Sequence, residues 1–135
     1  MLKTQTRIQK CALGFAALFL GVYLLDYVPG IMAENGKMLG LFSMTRIVDI
    51  GHLVLGALAL LSALVSPRLT RIYFYALGIW YAIDVVMFFA SHLQTMSLVV
   101  NSLVNLPHFV ISVAAFWIAA KVDRPTTAQS QANAA

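Results

Sequence analysis

Four apolar runs, near residues 11–31, 47–66, 72–91 and 98–120, are each long enough to cross a bilayer. About 20 helical residues span the ~30 Å of hydrocarbon. Backbone groups in hydrocarbon have no water to bond, so each run must close its hydrogen bonds internally as a helix. Composition agrees, because 61% of the 135 residues are hydrophobic and only 10% are charged, against roughly 25% charged in a water-soluble domain. The expected fold is an all-α membrane protein, a four-transmembrane-helix up-down-up-down bundle.

Lys3, Arg7 and Lys10 precede the first run as they would in a signal peptide. The run exceeds the roughly 7–15 residues of a signal core, and no small-x-small cleavage pattern follows, so a retained helix is expected. Pro29-Gly30 breaks the first run, Pro67 marks the second turn, and His92-Leu93-Gln94-Thr95 opens the third connection. Residues 32–46 mix Met38, Leu39, Leu41 and Phe42 with Glu34 and Lys37, the pattern of a short helix or loop lying in the interface. The chain thus divides into a basic N-terminus (1–10), a helical domain (11–120) and a small, polar tail (121–135) expected to be disordered.

Lys and Arg set the orientation. Seven (Lys3, Arg7, Lys10, Arg68, Arg71, Lys121 and Arg124) fall on the side of the termini, and two (Lys37 and Arg46) on the other. That bias predicts an integral membrane protein with both termini in the cytoplasm. The same placement explains the net charge of +4 without nucleic acid, and leaves the lipid bilayer as the expected partner. Small lipid-facing residues permit a homo-oligomer or a place in a membrane complex. Of the aromatics, Trp80 and Tyr81 are expected to pack in the bundle.

Two of the apolar runs carry a histidine in similar settings. Val48, Asp49, His52 and Val54 align with Val104, Asn105, His108 and Val110. Upstream, Leu20-Gly21-Val22-Tyr23 followed by Asp26 matches Leu77-Gly78-Ile79-Trp80 followed by Asp84. Asp26 precedes His52 by 26 residues and Asp84 precedes His108 by 24. Each half reads as one helical hairpin, and the chain as a tandem duplication with a two-fold axis along the membrane normal. Across such an axis His52 faces His108 and Asp26 faces Asp84. Asp49 and Asn105 precede the histidines by one turn, which adds them to the same face. The expected polar core is Asp26, Asp49, His52, Asp84, Asn105 and His108, with Asn101 one turn further out.

Three readings of that core stand side by side. Ionisable groups inside a membrane are costly, and a mutually satisfied Asp/His network would fix how the helices dock in a structural or accessory protein. A carboxylate bundle holding metal uses acids and acid-x-x-His pairs from facing helices. Here Asn105 replaces one acid, so His52 and His108 with Asp26 and Asp84 would suit a single Zn or Fe. Haem, with His52 and His108 as axial ligands, is a further form of the cofactor reading. The third is a proton or ion relay. One cysteine, Cys11, excludes an internal disulfide. No Ser-His-Asp or Cys-His spacing points to nucleophilic catalysis, so no catalytic residue is expected. Pro107 is expected to kink the fourth helix and free a carbonyl near Leu103, and His92 to be a solvated loop residue.

Leu39-Gly40-Leu41-Phe42 leads into Asp49-Ile50-Gly51-His52-Leu53-Val54-Leu55-Gly56-Ala57-Leu58, and a second His-apolar-apolar run follows in the fourth helix. These stretches resemble the domain of unknown function 4383 family of bacterial membrane proteins. The resemblance implies a four-span membrane protein and assigns no molecular function.

Overall fold

The computed structural model describes residues 5–123. It contains four helices, α1 (Arg7–Leu25), α2 (Arg46–Val65), α3 (Pro67–Ser91) and α4 (Leu98–Lys121). All four are long and apolar enough to cross a membrane. Each follows a Ser or Thr in extended conformation: Thr6, Thr45, Ser66 and Ser97. Side-chain oxygens of Thr45, Ser66 and Ser97 accept from the backbone N–H three residues on, satisfying a donor that a helix start otherwise leaves open. At Thr6 the backbone N–H instead donates to Gln9 Oε1 at 3.0 Å.

These caps move two boundaries from where the apolar runs put them. The first helix starts at Arg7 rather than near 11, because Thr6 and Gln9 cap it inside the basic segment. It ends at Leu25 rather than near 31, in 3₁₀-type turns where Tyr27 N–H bonds Leu24 O and Val28 N–H bonds Leu25 O. Pro29 disfavours helix at the residue before it and closes the element. The third helix starts at Pro67 rather than near 72. Ser66 alone links α2 to α3, ending one and capping the other, and Pro67 occupies the first helical turn, where its missing N–H costs nothing.

The α1–α2 connection is a loop and contains no helix. Isolated antiparallel bridges join Met32 to Met38 and Met38 to Phe42, and buried Met38 anchors it. Gly30, Gly36 and Gly40 take positive φ there, as does Leu39 at 53°, a left-handed conformation uncommon outside glycine. Pro107 lies inside a continuous α4. Val122 and Asp123, the described residues of the segment beyond Lys121, form a turn. The remainder of the tail expected to be disordered, 124–135, and residues 1–4 lie outside the described residues.

Helices α1 and α2 form one tightly packed hairpin and α3 and α4 the other. Among the described residues α1 and α3 touch across the bundle, whereas α2 and α4 do not. The core is Ile8, Ala12, Ala16, Phe19, Ala59, Ala63, Phe74, Leu77, Tyr81, Ala115 and Ala119 with their neighbours. Small residues on α2 and α4 let the helices approach closely, the usual route to dispersion contact where lipid removes the hydrophobic drive.

The second helices of the two hairpins bury matching positions. All five buried residues of α2 (Asp49, Gly56, Ala59, Ser62 and Ala63) have buried counterparts in α4 (Asn105, Ser112, Ala115, Ile118 and Ala119) under the alignment that matches His52 with His108. Gly56 and Ser112, one turn beyond each histidine, meet the partner helix at matching sites. A Cβ on Gly56 would lie 2.8 Å from Leu20 Cγ, and Ser112 Oγ donates to Gly78 O at 2.8 Å.

At the end carrying both termini, polar bonds join every neighbouring pair of helices. Gln9 Nε2 donates to Ala63 O at 2.7 Å, tying α1 to α2. Thr70 Oγ1 donates to Ser62 O at 2.9 Å, tying α3 to α2. Arg71 donates to Ala119 O and to Val122 O, tying α3 to the end of α4. Asp123 Oδ2 accepts from Ile8 N–H at 2.7 Å, closing the ring between α4 and α1. Midway, the Tyr73 hydroxyl donates to Leu55 O at 3.2 Å, tying α3 to α2; nearer the opposite end the cross-helix bonds run within hairpins, as from Asn101 Nδ2 to Phe89 O. The bundle is clasped at one end and looser at the other.

Candidate ligand site between the two hairpins

The looser end contains a partly open cavity of about 220 Å³, lined by Ile47, Val48, Gly51, His52 and Leu55 of α2, Trp80, Tyr81 and Asp84 of α3, and His108 of α4. At about 1.5 Å per residue, His52, Asp84 and His108 lie about 9, 10 and 15 Å from that end of their helices. His52 and Asp84 lie at similar depth, with His108 about one turn deeper.

His108 Nδ1 donates to Asp84 Oδ2 at 2.7 Å. His52 Nδ1 lies 2.9 Å from Val48 O in its own helix. Carboxylates and carbonyls only accept, so both Nδ1 atoms carry the proton, and in the neutral ring each Nε2 keeps its lone pair. Both histidines are thus set as acceptors at one cavity. His92 repeats the own-helix pattern with Phe88 O at 2.9 Å, as a helix cap stacked on Phe88. Of the three histidines, His108 alone reaches another helix through its bond.

A row of rings connects the two cavity histidines. His52 lies 6.0 Å from Phe19, Phe19 stacks on Tyr81 at 6.0 Å, and Tyr81 meets His108 at 4.9 Å edge-on. Phe19 and Tyr81 are 1% and 4% exposed, and they fill the crossing of α1 and α3 between the histidines. Tyr81 lines the cavity, and its hydroxyl makes no hydrogen bond among the described residues. Trp80, expected to pack inside, stands on the rim and is exposed together with Ile47. Successive α3 residues point about 100° apart, so Trp80 and Tyr81 cannot both face the core.

Six residues were expected to meet in one core, and the structure distributes them. It brings Asp84, His52 and His108 to the cavity. Asp26 does not join them, because α1 ends at Leu25 and Asp26 occupies its C-cap. Asp49 is buried, yet its Oδ2 accepts from the Tyr27 hydroxyl at 3.3 Å and its Oδ1 has no partner. The Tyr27 phenol, beyond the end of α1, is held up at about 12, first by its hydrogen bond with Tyr23 and then by desolvation and the Asp49 carboxylate. Asn105 donates to Asn101 O and Oδ1 at 3.1 and 2.9 Å, within α4.

Ile47 was not singled out in the sequence, and Trp80 and Tyr81 were expected only to pack; all three line the cavity. Helical spacing carried the signal: Trp80 and Tyr81 lie one turn before Asp84, on or beside its face. No family model, curated protein or solved structure matches the chain.

Proposed function

We propose that the chain is a small integral membrane protein of accessory type that binds a lipophilic small molecule in the cavity between α2, α3 and α4. The observation that carries this reading is the pairing of His52 and His108. Each has Nδ1 committed to an acceptor, which leaves two Nε2 lone pairs at one mainly apolar cavity. A few placed polar groups in an otherwise apolar concavity are the usual make-up of a ligand site. With the termini in the cytoplasm, as the Lys and Arg bias supports, the cavity opens in the outer half of the membrane.

The alternatives draw less support. Zinc sites take three or four protein ligands, and among the described residues no three His, Cys, Asp or Glu side chains, His52, Asp84 and His108 included, are grouped closely enough to hold one metal ion. Iron held by two His and one or two Asp fails on the same ground. Haem needs more room, since pockets for cofactor-sized ligands run to about 300–1,000 Å³. A relay needs polar groups along its path, and beyond the Phe19–Tyr81 pair the core is largely apolar. An internal network alone leaves both Nε2 atoms and the Tyr81 hydroxyl unused.

Native mass spectrometry of the full chain, released from its own membranes in lipid nanodiscs, tests the reading. Gly51→Phe is the control, because a Cβ at Gly51 meets nothing within 4 Å and the ring would occupy the cavity without disturbing the bundle. The expected result is a small lipophilic adduct on the wild type that the variant lacks. An adduct on both, or on neither, contradicts the proposal.

A further inference from the structure

The geometry points to a ring-bearing hydroxyl donor, a hydroquinone headgroup on an apolar tail, as the occupant of this cavity. The inference rests on the ligand-binding reading above and goes further by naming the chemical class.

The polarity of the site fixes the first property of the ligand. With Nδ1–H engaged on both histidines, the neutral rings offer lone pairs at Nε2 and no proton. An occupant must therefore bring donors. A ketone, ether or quinone oxygen would set lone pair against lone pair, whereas a hydroxyl satisfies the nitrogen and is satisfied by it. Asp84 secures one of these positions. Its carboxylate accepts from Nδ1–H and so fixes the tautomer and orientation of the His108 ring, as second-shell carboxylates do for histidines elsewhere.

Size and shape fix the second property. A cavity of ~150 Å³ accommodates benzene, so about 220 Å³ holds one substituted ring. The walls suit a flat ring, since Tyr81 and Trp80 both line the space, and aromatic faces stack favourably. Two acceptors on different helices, α2 and α4, match a molecule with donors at opposite edges. A para-dihydroxy ring has that arrangement.

Two further observations support an occupant of this kind. Tyr81 lines the cavity, and its hydroxyl, which is not sealed in the core, lacks a hydrogen-bond partner among the described residues. A ring hydroxyl within the cavity could supply it. The rim is apolar and exposed, with Ile47 at 85% and Trp80 at 65%, so a hydrocarbon tail can leave between them toward lipid. No redox step is assigned, only recognition of the reduced, hydroxyl-bearing form.

Binding of a decyl-substituted 1,4-hydroquinone is followed anaerobically by quenching of Trp80 fluorescence. The protein is the full chain in nanodiscs, with Trp117→Phe leaving Trp80 as the sole indole. The comparison ligands are the same molecule as its dimethyl ether and as its oxidised quinone. Saturable quenching by the hydroquinone is expected, with both comparison ligands at least about tenfold weaker, the factor of one well-made hydrogen bond. His108→Phe and His52→Phe should each weaken the hydroquinone by a similar factor and leave the ether unchanged. Gly51→Phe should abolish quenching by all three.

Equal binding of hydroquinone and dimethyl ether, both blocked by Gly51→Phe, would overturn the donor requirement and leave the binding site standing. Quenching that Gly51→Phe does not touch would overturn both readings. Quenching of Trp80 by Zn²⁺, with none by any of the ring ligands, would replace the organic occupant with a metal.

Discussion

His108 Nδ1 and Asp84 Oδ2 stand 2.7 Å apart, and this one bond both joins α4 to α3 and decides which imidazole nitrogen is left free. The corresponding histidine, His52, has no such acid, because Asp26 lies beyond the end of α1. Helices α2 and α4 thus bury matching positions and differ in how each histidine is held.

Asp84→Ala should cost modest stability. The pair is partly exposed, at 36% for His108 and 44% for Asp84, and cross-helix bonds in a membrane protein average about 0.6 kcal/mol with a maximum near 1.7. A loss within that range is expected in steric-trap or denaturant unfolding. A loss above about 3 kcal/mol would mean that the pair is a sealed core element, unlike the cavity wall described.

His52 and His108 share a cavity and no direct bond. In the free protein His52→Ala and His108→Ala should be additive in unfolding free energy to within about 0.5 kcal/mol, as for residues without a common partner. With the decyl hydroquinone bound, the same cycle should show coupling, because one ligand would touch both. Coupling in the free protein would place the two side chains in contact.

Glycines in α2 should separate packing from ligand space. A Cβ on Gly56 would lie 2.8 Å from Leu20 Cγ and 3.2 Å from Leu20 N, so Gly56→Ala should destabilise by about 1–3 kcal/mol through overpacking. Gly51→Ala, five residues earlier, meets nothing within 4 Å. It should be neutral or stabilise by up to about 1 kcal/mol, alanine being the better helix former. Thermal unfolding in detergent would rank the two, and the reverse order would contradict the α1–α2 packing.

The four spans were legible because hydrocarbon leaves the backbone no other option, while their ends depended on polar caps inside or beside apolar text. Thr6 and Ser66-Pro67 carried the true starts of α1 and α3, and the apolar runs alone hid them. In the site, the His52–His108 correspondence was readable because ionisable residues are rare in such runs. Asp49 misled, since a three-residue offset leaves side chains about 60° apart on a helix, enough for Asp49 to meet Tyr27 while His52 meets the cavity. The cavity itself had no sequence signature. It arises because the clasp of Gln9, Thr70, Arg71 and Asp123 draws one end together and α2 and α4 stay apart.

Arg71 tests that clasp. Its guanidinium bonds two carbonyls at the end of α4, where a cation also complements the helix dipole. Arg71→Ala should lower stability by about 1–2 kcal/mol. Arg71→Lys should restore only part of it, because an ammonium lacks the planar fork. Hydrogen exchange should quicken at Ala119–Val122 in the alanine variant, and unchanged exchange there would contradict the tie.

The central claim is that His52 and His108 both present a bare Nε2 to one ligand. Solid-state ¹⁵N spectra of histidine-labelled full-length protein in lipid bilayers, near neutral pH, report each ring nitrogen directly. Protonated Nδ1 and bare Nε2 are expected at both residues, with both Nε2 signals moving when the decyl hydroquinone is added and neither moving in Gly51→Phe. A protonated Nε2 at either histidine in the free protein, or signals that stay fixed at saturating ligand, would contradict the account.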